Sequence, residues 1–142
     1  MFEVINRQRK IKIETAFFQA FAHRIVELLP ETKNKTFTVG FISDRRMREM
    51  NKQFRGKYST TDVLSFPFEA DEFEPDNESL GDIVISLEQA AKQAAENNLN
   101  LETEIKQLIL HGFLHLCGYD HEIDNGEMHT KELQLRDKLF IN

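Results

Sequence analysis

The sequence predicts one α+β domain, in which about five helices pack on a roughly four-stranded mixed sheet. Short runs rich in β-branched and aromatic residues alternate with longer segments whose apolar residues recur at helical spacing. Hydrophobic residues make up 40% of the 142 residues and charged residues 30%, the usual balance of a globular domain. No repeat or linker-like tract divides the chain. Residues 1–142 are therefore expected to form a single domain.

The N-terminal half is predicted to alternate strands with helices. The first helix has a broad apolar face, and Pro30 stops it because proline cannot continue a helix. The second helix is rich in arginine, and Ser43 or Asp44 caps its N-terminus. The four elements are a strand over 2–6, a helix over 14–29, a strand over 36–42 and a helix from the cap through Phe54.

The C-terminal half begins with two strand-like runs, 62–68 and 81–86. An acidic stretch joins them, which favours a hairpin with a long loop. Three helices follow, of which the first opens on a capping-box pattern at Ser86 and Gln89 and the second is capped by Asn100. The second is apolar almost all round, which is typical of a buried central helix. The helices cover 86–98, about 101–117 and about 124–140.

The composition of the chain indicates the compartment in which the protein acts. No apolar run approaches the ~20 residues that span a bilayer, and the N-terminal residues contain no apolar signal region. Cys117 is the single cysteine and cannot form an internal disulfide, in agreement with a reducing compartment. We therefore expect a cytoplasmic protein with no membrane partner.

The net charge of −6 is divided unevenly along the chain. Residues 1–60 hold 13 Lys/Arg and 6 Asp/Glu, a balance of +7, whereas residues 61–142 hold 5 and 18, a balance of −13. Two solvated faces would explain the division. A polyanionic partner of the basic half would explain it equally well, because cations that neutralise phosphates release counterions.

Residues 111–121, HGFLHLCGYDH, contain three of the five histidines. His111 and His115 are four residues apart, so on a helix they share one face about one turn apart. Gly118 can end that helix in a left-handed conformation, from which His121 can reach the same ion. Hydrogen-bonded core packing is the alternative for the pair. The spacing predicts a zinc site with three histidine ligands and a fourth position for water.

The ligand spacing is that of the metzincin metalloproteases, with one difference. Their motif has a glutamate after the first histidine, where it acts as general base, but here Gly112 follows His111. Zinc alone lowers the pKa of its water to about 7, so a phosphodiester is a better guess for the substrate than a peptide. Cys117 would face away from both helical histidines and is expected to be a small buried residue.

Three blocks, FRGKYSTTDVLSFPF, LGDIVIS and HGFLHLCGYDH, resemble in order and spacing the YbeY family of bacterial endoribonucleases. The blocks run from about Phe54 to His121, and the earlier elements also fit. The resemblance implies a zinc-dependent, single-strand-specific endoribonuclease that matures the 3′ end of small-subunit ribosomal RNA and acts in ribosome quality control. It also implies a cytoplasmic location, with ribosomal RNA and ribosomal components as partners and no DNA. The tract 58–60 departs from the charged and Pro-containing forms associated with the family.

The family's functional arginine falls on Arg55. Gly56 would let the backbone approach a ligand, and a guanidinium offers a planar two-point clamp for a phosphate. Capping of helix-end carbonyls is the alternative, and the resemblance favours the phosphate. Further cations that could track an RNA backbone, or line a solvated face, are Arg45, Arg46, Arg48, Lys52 and Lys57.

Four other polar residues lie close to these motifs in sequence. Asp62 and Ser65 are expected to form hydrogen bonds with nearby backbone. Asp120 and Glu122 flank the predicted third ligand, where they either orient a histidine or lie in solvent.

The working hypothesis is a zinc-dependent endoribonuclease in which Arg55 stabilises charge on the phosphate. Attack by water and attack by the RNA 2′-hydroxyl are both open, and no general base is identified. A second hypothesis is an RNA-binding ribosome-assembly factor with a structural metal. A metalloprotease-like hydrolase is the third, disfavoured by Gly112.

Overall fold

The computed structural model describes residues 3–68, 79–120, 123–139 and 141. These residues form the expected α+β fold, with four strands and five helices. None of the helices in this part of the chain combines the length and the hydrophobicity needed to traverse a bilayer. The strands are β1 (Glu3–Asn6), β2 (Thr36–Ile42), β3 (Val63–Pro67) and β4 (Ser79–Ser86). The helices are α1 (Thr15–Glu27), α2 (Asp44–Arg55), α3 (Leu87–Glu96), α4 (Leu101–Leu116) and α5 (Glu127–Leu139), and a 3₁₀ turn covers Pro30–Thr32.

The strands form one mixed sheet in the order β1-β2-β4-β3. The first three strands in that order are parallel, and β3 runs antiparallel to β4 at one edge. Val63 lies opposite Ile85, and Pro67 lies opposite Gly81, which confirms the predicted hairpin pairing. The acidic stretch between these strands lies mostly outside the described residues.

Helix α4 is the buried centre of the fold. Ile105, Ile109 and Leu110 are fully buried, and α4 contacts β3, β4 and three other helices. The ring of Phe113 packs against Phe37 of β2 with 5.6 Å between centroids. The expectation of a buried central helix, drawn from its apolar surface, is confirmed.

Side-chain caps begin three of the helices where the sequence predicts them. In each case a side-chain oxygen at the N-cap accepts a hydrogen bond from a backbone N–H three residues later. The cap of α2 is Ser43, which accepts from the N–H of Arg46 at 3.2 Å. In α3, Ser86 accepts from Gln89 at 3.3 Å, and in α4, Asn100 accepts from Thr103 at 2.7 Å.

The last helix begins later than predicted. Asp124 accepts hydrogen bonds from the backbone N–H groups of Gly126 and Met128, both at 2.9 Å. Gly126 has φ +100°, a left-handed conformation that a helix cannot contain. The helix therefore starts at Glu127, three residues after the predicted start, and Phe140, its predicted end, lies outside the described residues.

Asp44 ties the N-terminus of α2 to β4 and to the segment that precedes β3. Its carboxylate accepts hydrogen bonds from the hydroxyl of Thr60 and, at 3.2 Å, from that of Ser86. Arg48 lies 3.4 Å from its other oxygen. Burial alone would raise the pKa of the Asp44 carboxyl, but the hydrogen bonds and the Arg48 charge hold it below its usual range.

Helix α4 lies very close to β4 at Gly112. A Cβ atom at this position would stand 2.9 Å from Cγ2 of Ile83, which is fully buried in β4. Real Cβ contacts are not that short, so the approach of helix to strand requires glycine.

We expect Gly112→Ala to lower the free energy of unfolding by up to about 2 kcal/mol. Overpacking of a core costs about 1–3 kcal/mol, which exceeds the about 1 kcal/mol that alanine gains in helix propensity. Urea denaturation measures the change. Gly40→Ala is the control, since nothing lies within 4 Å of a Cβ at Gly40, and equal losses in the two variants would contradict the packing argument.

We expect Asp44→Asn to lower the free energy of unfolding by about 1–2 kcal/mol at neutral pH, because charge-assisted hydrogen bonds are lost. The lowered pKa means that the Asp44 contribution is complete above the usual value of 3.8 and disappears as the pH falls through the lowered pKa. Unfolding curves of wild type and variant should therefore converge in acid. Glu49→Gln on the exposed surface of the same helix is the control, and a pH-independent difference for Asp44→Asn would contradict the expectation.

Candidate active site

His111 and His115 lie one turn apart on α4, and their rings meet at the protein surface. Their Nε2 atoms are 3.2 Å apart, and the ring planes cross at 79°. A tetrahedral zinc ion with Zn–N bonds of about 2.0–2.1 Å separates two ligand nitrogens by about 3.3 Å. The pair therefore has the spacing that two imidazoles need to share one ion.

The third predicted ligand, His121, lies outside the described residues, as does Glu122. Within residues 3–68, 79–120, 123–139 and 141, no group of three or more His, Cys, Asp or Glu is placed to hold a metal ion. Gly118 follows α4 with φ +95°, the left-handed conformation expected at the helix end. Its N–H donates to the carbonyl of His115 at 3.0 Å, so the chain leaves the helix next to the histidine pair.

A buried carboxylate that the sequence did not predict stands behind His111. The Nδ1 atom of His111 lies 3.5 Å from Oε2 of Glu132 on α5. The other carboxylate oxygen, Oε1, accepts a hydrogen bond from Arg136 at 3.0 Å. The Glu132 side chain is 12% exposed. Burial alone would raise the pKa of the Glu132 carboxyl, but the hydrogen bond and charge of His111, followed by those of Arg136, hold it below its usual range.

The position of Glu132 bears on which ring nitrogen of His111 carries the proton. A carboxylate facing Nδ1 favours the proton on that nitrogen, which leaves the lone pair of Nε2 directed towards His115. The pair Glu132 and Arg136 shows the i, i+4 spacing of a helical ion pair in the sequence. No sequence signal places that helix against α4, so the contact could not be found from the sequence.

An open cleft of about 580 Å³ connects the histidine pair to Arg55. One wall is the end of α2, another is β3 with the residues before it, and the third is the C-terminal end of α4. The lining consists of Arg55, residues 61–65, Pro67, His111, His115 and residues 118–120. The structure thus brings together three of the four predicted site residues.

Arg55 is the last residue of α2, and its side chain is exposed. Gly56 adopts φ +68°, and its backbone N–H donates to the carbonyl of Lys52 at 3.0 Å. The helix end is therefore capped by backbone N–H groups, which argues against a capping role for the guanidinium. No ion pair of Arg55 is found in the described part of the chain.

The other arginines of α2 are engaged within their own helix. Arg45 and Arg46 lie 3.9 and 3.1 Å from the carboxylate of Glu49, and Arg48 lies 3.4 Å from Asp44. All three guanidinium groups are exposed, so these pairs are weak and screened by salt. Their charge is partly neutralised locally, in contrast to that of Arg55.

Two polar residues of the cleft wall form hydrogen bonds with backbone, as expected. Asp62 accepts from the N–H of Val63 at 2.8 Å, and the hydroxyl of Ser65 donates to the carbonyl of Gly112 at 3.4 Å.

The Cβ direction of Gly112 points at the sheet, away from the cleft. A glutamate could not occupy this position and act as a base in the cleft.

Cys117 is half-buried against the core just after α4. Burial, followed by the negative charge of Glu31, raises the pKa of its thiol to about 12. A metal-bound cysteine is a thiolate, so this environment disfavours Cys117 as a ligand. Cys117 packs against the core as expected, but it is half-buried and not fully buried.

Comparison with known proteins identifies a family that matches nearly the whole chain. The family model described as "Endoribonuclease YbeY" matches residues 3–139. A protein named Endoribonuclease YbeY from Thermodesulfovibrio yellowstonii is 38% identical over 154 residues, which cover 99% of this chain and 95% of that protein. Another of the same name, from Nautilia profundicola, is 52% identical over 98 residues, 69% of this chain and 68% of that protein.

A solved structure has the same fold. The solution structure of TM1509 from Thermotoga maritima superposes with a TM-score of 0.63 and 27% sequence identity, covering 94% of this chain and 85% of that chain. The family match spans every described helix and strand, from β1 to the end of α5. The chain is therefore a member of the endoribonuclease YbeY family.

Proposed function

We propose that this protein is an endoribonuclease that cleaves single-stranded RNA in the cleft between Arg55 and the histidine pair, with residues 1–142 acting as one domain. The observation that carries the proposal is the position of an arginine without an ion-pair partner among the described residues, on the same open cleft as two imidazoles spaced for a metal ion. An anionic backbone with an exposed phosphodiester fits such a cleft. Endoribonuclease is also the activity in the names of the family and of the relatives.

One zinc ion held by His111, His115 and His121 is part of the proposal. Support comes from the 3.2 Å between the two Nε2 atoms and from the Glu132 carboxylate behind His111. When bound, zinc would supply Lewis acidity, which stabilises negative charge on a phosphoryl oxygen and acidifies a coordinated water.

The protein's own residues have distinct tasks in this proposal. Arg55 binds the phosphate through paired N–H donors and stabilises the charge that develops on it. Glu132 keeps the proton of His111 on Nδ1, so that Nε2 offers its lone pair to the metal. Water and the RNA 2′-hydroxyl are both available as nucleophiles, and only the second leaves a cyclic phosphate on the product, which end mapping detects.

We further propose that the protein acts in the cytoplasm, in maturation of the small-subunit ribosomal RNA 3′ end and in ribosome quality control, together with ribosomal components. Support comes from membership of the family and from the motifs around Arg55 and His111 that carry the resemblance. Arg55 lines the cleft, and Lys52 of the same helix is exposed, which suits a polyanionic partner.

Cleavage of a single-stranded RNA by purified variants, with zinc measured by elemental analysis, tests the assignment. Wild type should hold about one zinc per chain and cleave. His115→Ala should lose both the zinc and the cleavage. Arg55→Ala should keep the zinc while its cleavage rate falls about 100- to 1,000-fold, the usual cost of removing a group that stabilises transition-state charge.

Arg24→Ala is the control for the arginine, because Arg24 is an exposed residue of α1 that does not line the cleft. Its zinc content and cleavage rate should equal those of wild type. Equal cleavage by wild type, His115→Ala and Arg55→Ala would overturn the catalytic proposal. Such a result, with a lower melting temperature for His115→Ala, would support an assembly factor with a structural metal.

Glu132→Gln should lower zinc affinity about 10- to 100-fold, because the amide is a weaker acceptor for the Nδ1 proton of His111. Competition with a chromophoric chelator measures the affinity directly, independently of cleavage. Asp137→Asn, on the exposed side of α5, is the matched acid-to-amide control. Unchanged affinity in Glu132→Gln would rule out the positioning role.

A further inference from the structure

Tyr58 is the most exposed aromatic residue in the described part of the chain, with 81% of its surface accessible. It lies between α2 and β3, in a segment that connects two walls of the cleft. No core function accounts for it, because the ring packs into neither hydrophobic cluster. A single exposed aromatic ring is ordinary at a protein surface, so it is the position of Tyr58 beside the cleft that suggests a ligand.

The chain limits how far Tyr58 can be from the cleft. Arg55 and Thr61 both line the cleft, and Tyr58 is three residues from each. Three residues span at most about 10 Å. Successive phosphates of one DNA strand in a duplex are about 3.4 Å apart along the helix axis. On that scale, a strand whose phosphate lies at Arg55 reaches Tyr58 within about three nucleotides.

The turn that carries Tyr58 is held on both sides by a buried residue of α2. Asn51 is 1% exposed, and its side-chain amide donates to the carbonyl of Ser59 at 2.7 Å. The backbone N–H of Lys57 donates to the carbonyl of Asn51 at 3.4 Å. The next residue after Ser59, Thr60, donates its hydroxyl to Asp44. The backbone on each side of the ring is thus fixed to one helix.

One lysine lies over the Tyr58 ring, and a second is its neighbour in sequence. The ammonium group of Lys52 lies 5.1 Å from the ring centroid and covers one face, while the overall exposure of Tyr58 leaves the rest of the ring open. Lys57 is its neighbour in sequence and is also exposed. Aromatic rings flanked by cations bind single-stranded nucleic acid, because bases stack on the ring and the cations neutralise adjacent phosphates.

We propose that Tyr58 is a stacking platform for one unpaired base of the RNA, within about three nucleotides of the phosphate bound at Arg55. The inference rests on the proposed function. Lys52 and Lys57 neutralise the phosphates next to the stacked base. A base inside a duplex has both faces covered by its neighbours, so this contact selects single-stranded RNA.

The test compares cleavage of one sequence as a single strand and as a duplex by wild type, Tyr58→Ala and Tyr58→Phe. Tyr58→Ala should raise KM for the single strand about tenfold, within the range measured for loss of base stacking, and should leave the slow or absent cleavage of the duplex as it is in wild type. Tyr58→Phe should restore the wild-type KM, because the ring is kept.

Phe17→Ala is the matched control. Phe17 is an exposed aromatic residue of α1 with Lys106 over its ring at 4.6 Å, so it reproduces the aromatic and lysine pair away from the cleft lining. Its loss should leave KM unchanged. An equal increase for Phe17→Ala, or no increase for Tyr58→Ala, would overturn the platform.

Abasic substitution along the single strand locates the stacked base. In wild type, one abasic position should raise KM as much as Tyr58→Ala does, and the variant should lose nothing further at that position. Equal sensitivity of wild type and variant at every position would overturn the inference, even if both cleave. If wild type binds the single strand through Tyr58 but does not cleave it, the proposed endoribonuclease activity is wrong while the stacking role of Tyr58 stands.

Discussion

The close contact between Gly112 and Ile83 determines where the central helix lies, and the cleft depends on it. With no side chain at position 112, α4 rests directly on β4, and the hydroxyl of Ser65 reaches the carbonyl of the same glycine from β3. The helix is then held with His111 and His115 on the side that faces the cleft. The feature that separates this motif from a protease motif is therefore also a packing requirement.

The two sides of the cleft differ in how their charges are satisfied. Behind the histidines, the buried Glu132 and the partly exposed Arg136 form a chain of partners that ends 3.5 Å from Nδ1 of His111. In front, Arg55 ends a helix whose other arginines are paired with acids of the same helix. The arrangement leaves the Arg55 guanidinium without an ion pair among the described residues, on the same cleft as the two imidazoles.

Local signals explain which parts of the fold were predictable. Caps at Ser86 and Asn100 and the four-residue spacing of His111 and His115 are encoded within a few neighbouring residues, and the structure confirms the helices that they predict. Glu132 is 21 residues from its histidine partner and reaches it only through the packing of α5 on α4, which no local pattern specifies. Whether Arg55 caps its helix could not be decided from the sequence either, because the answer depends on which backbone N–H groups of the following turn reach the helix-end carbonyls. The ligand role of His121 stays a prediction.

Helix α2 carries Arg55 at its end and also holds the turn with Tyr58, because Asn51 donates a hydrogen bond to the carbonyl of Ser59 and Asp44 accepts one from the hydroxyl of Thr60. The backbone that carries Arg55 and the backbone on each side of Tyr58 are therefore anchored to the same helix. In the proposed complex, that helix would act as a molecular ruler. It would fix the number of nucleotides between the stacked base and the cut, so that cleavage position is measured from an unpaired base rather than read from sequence.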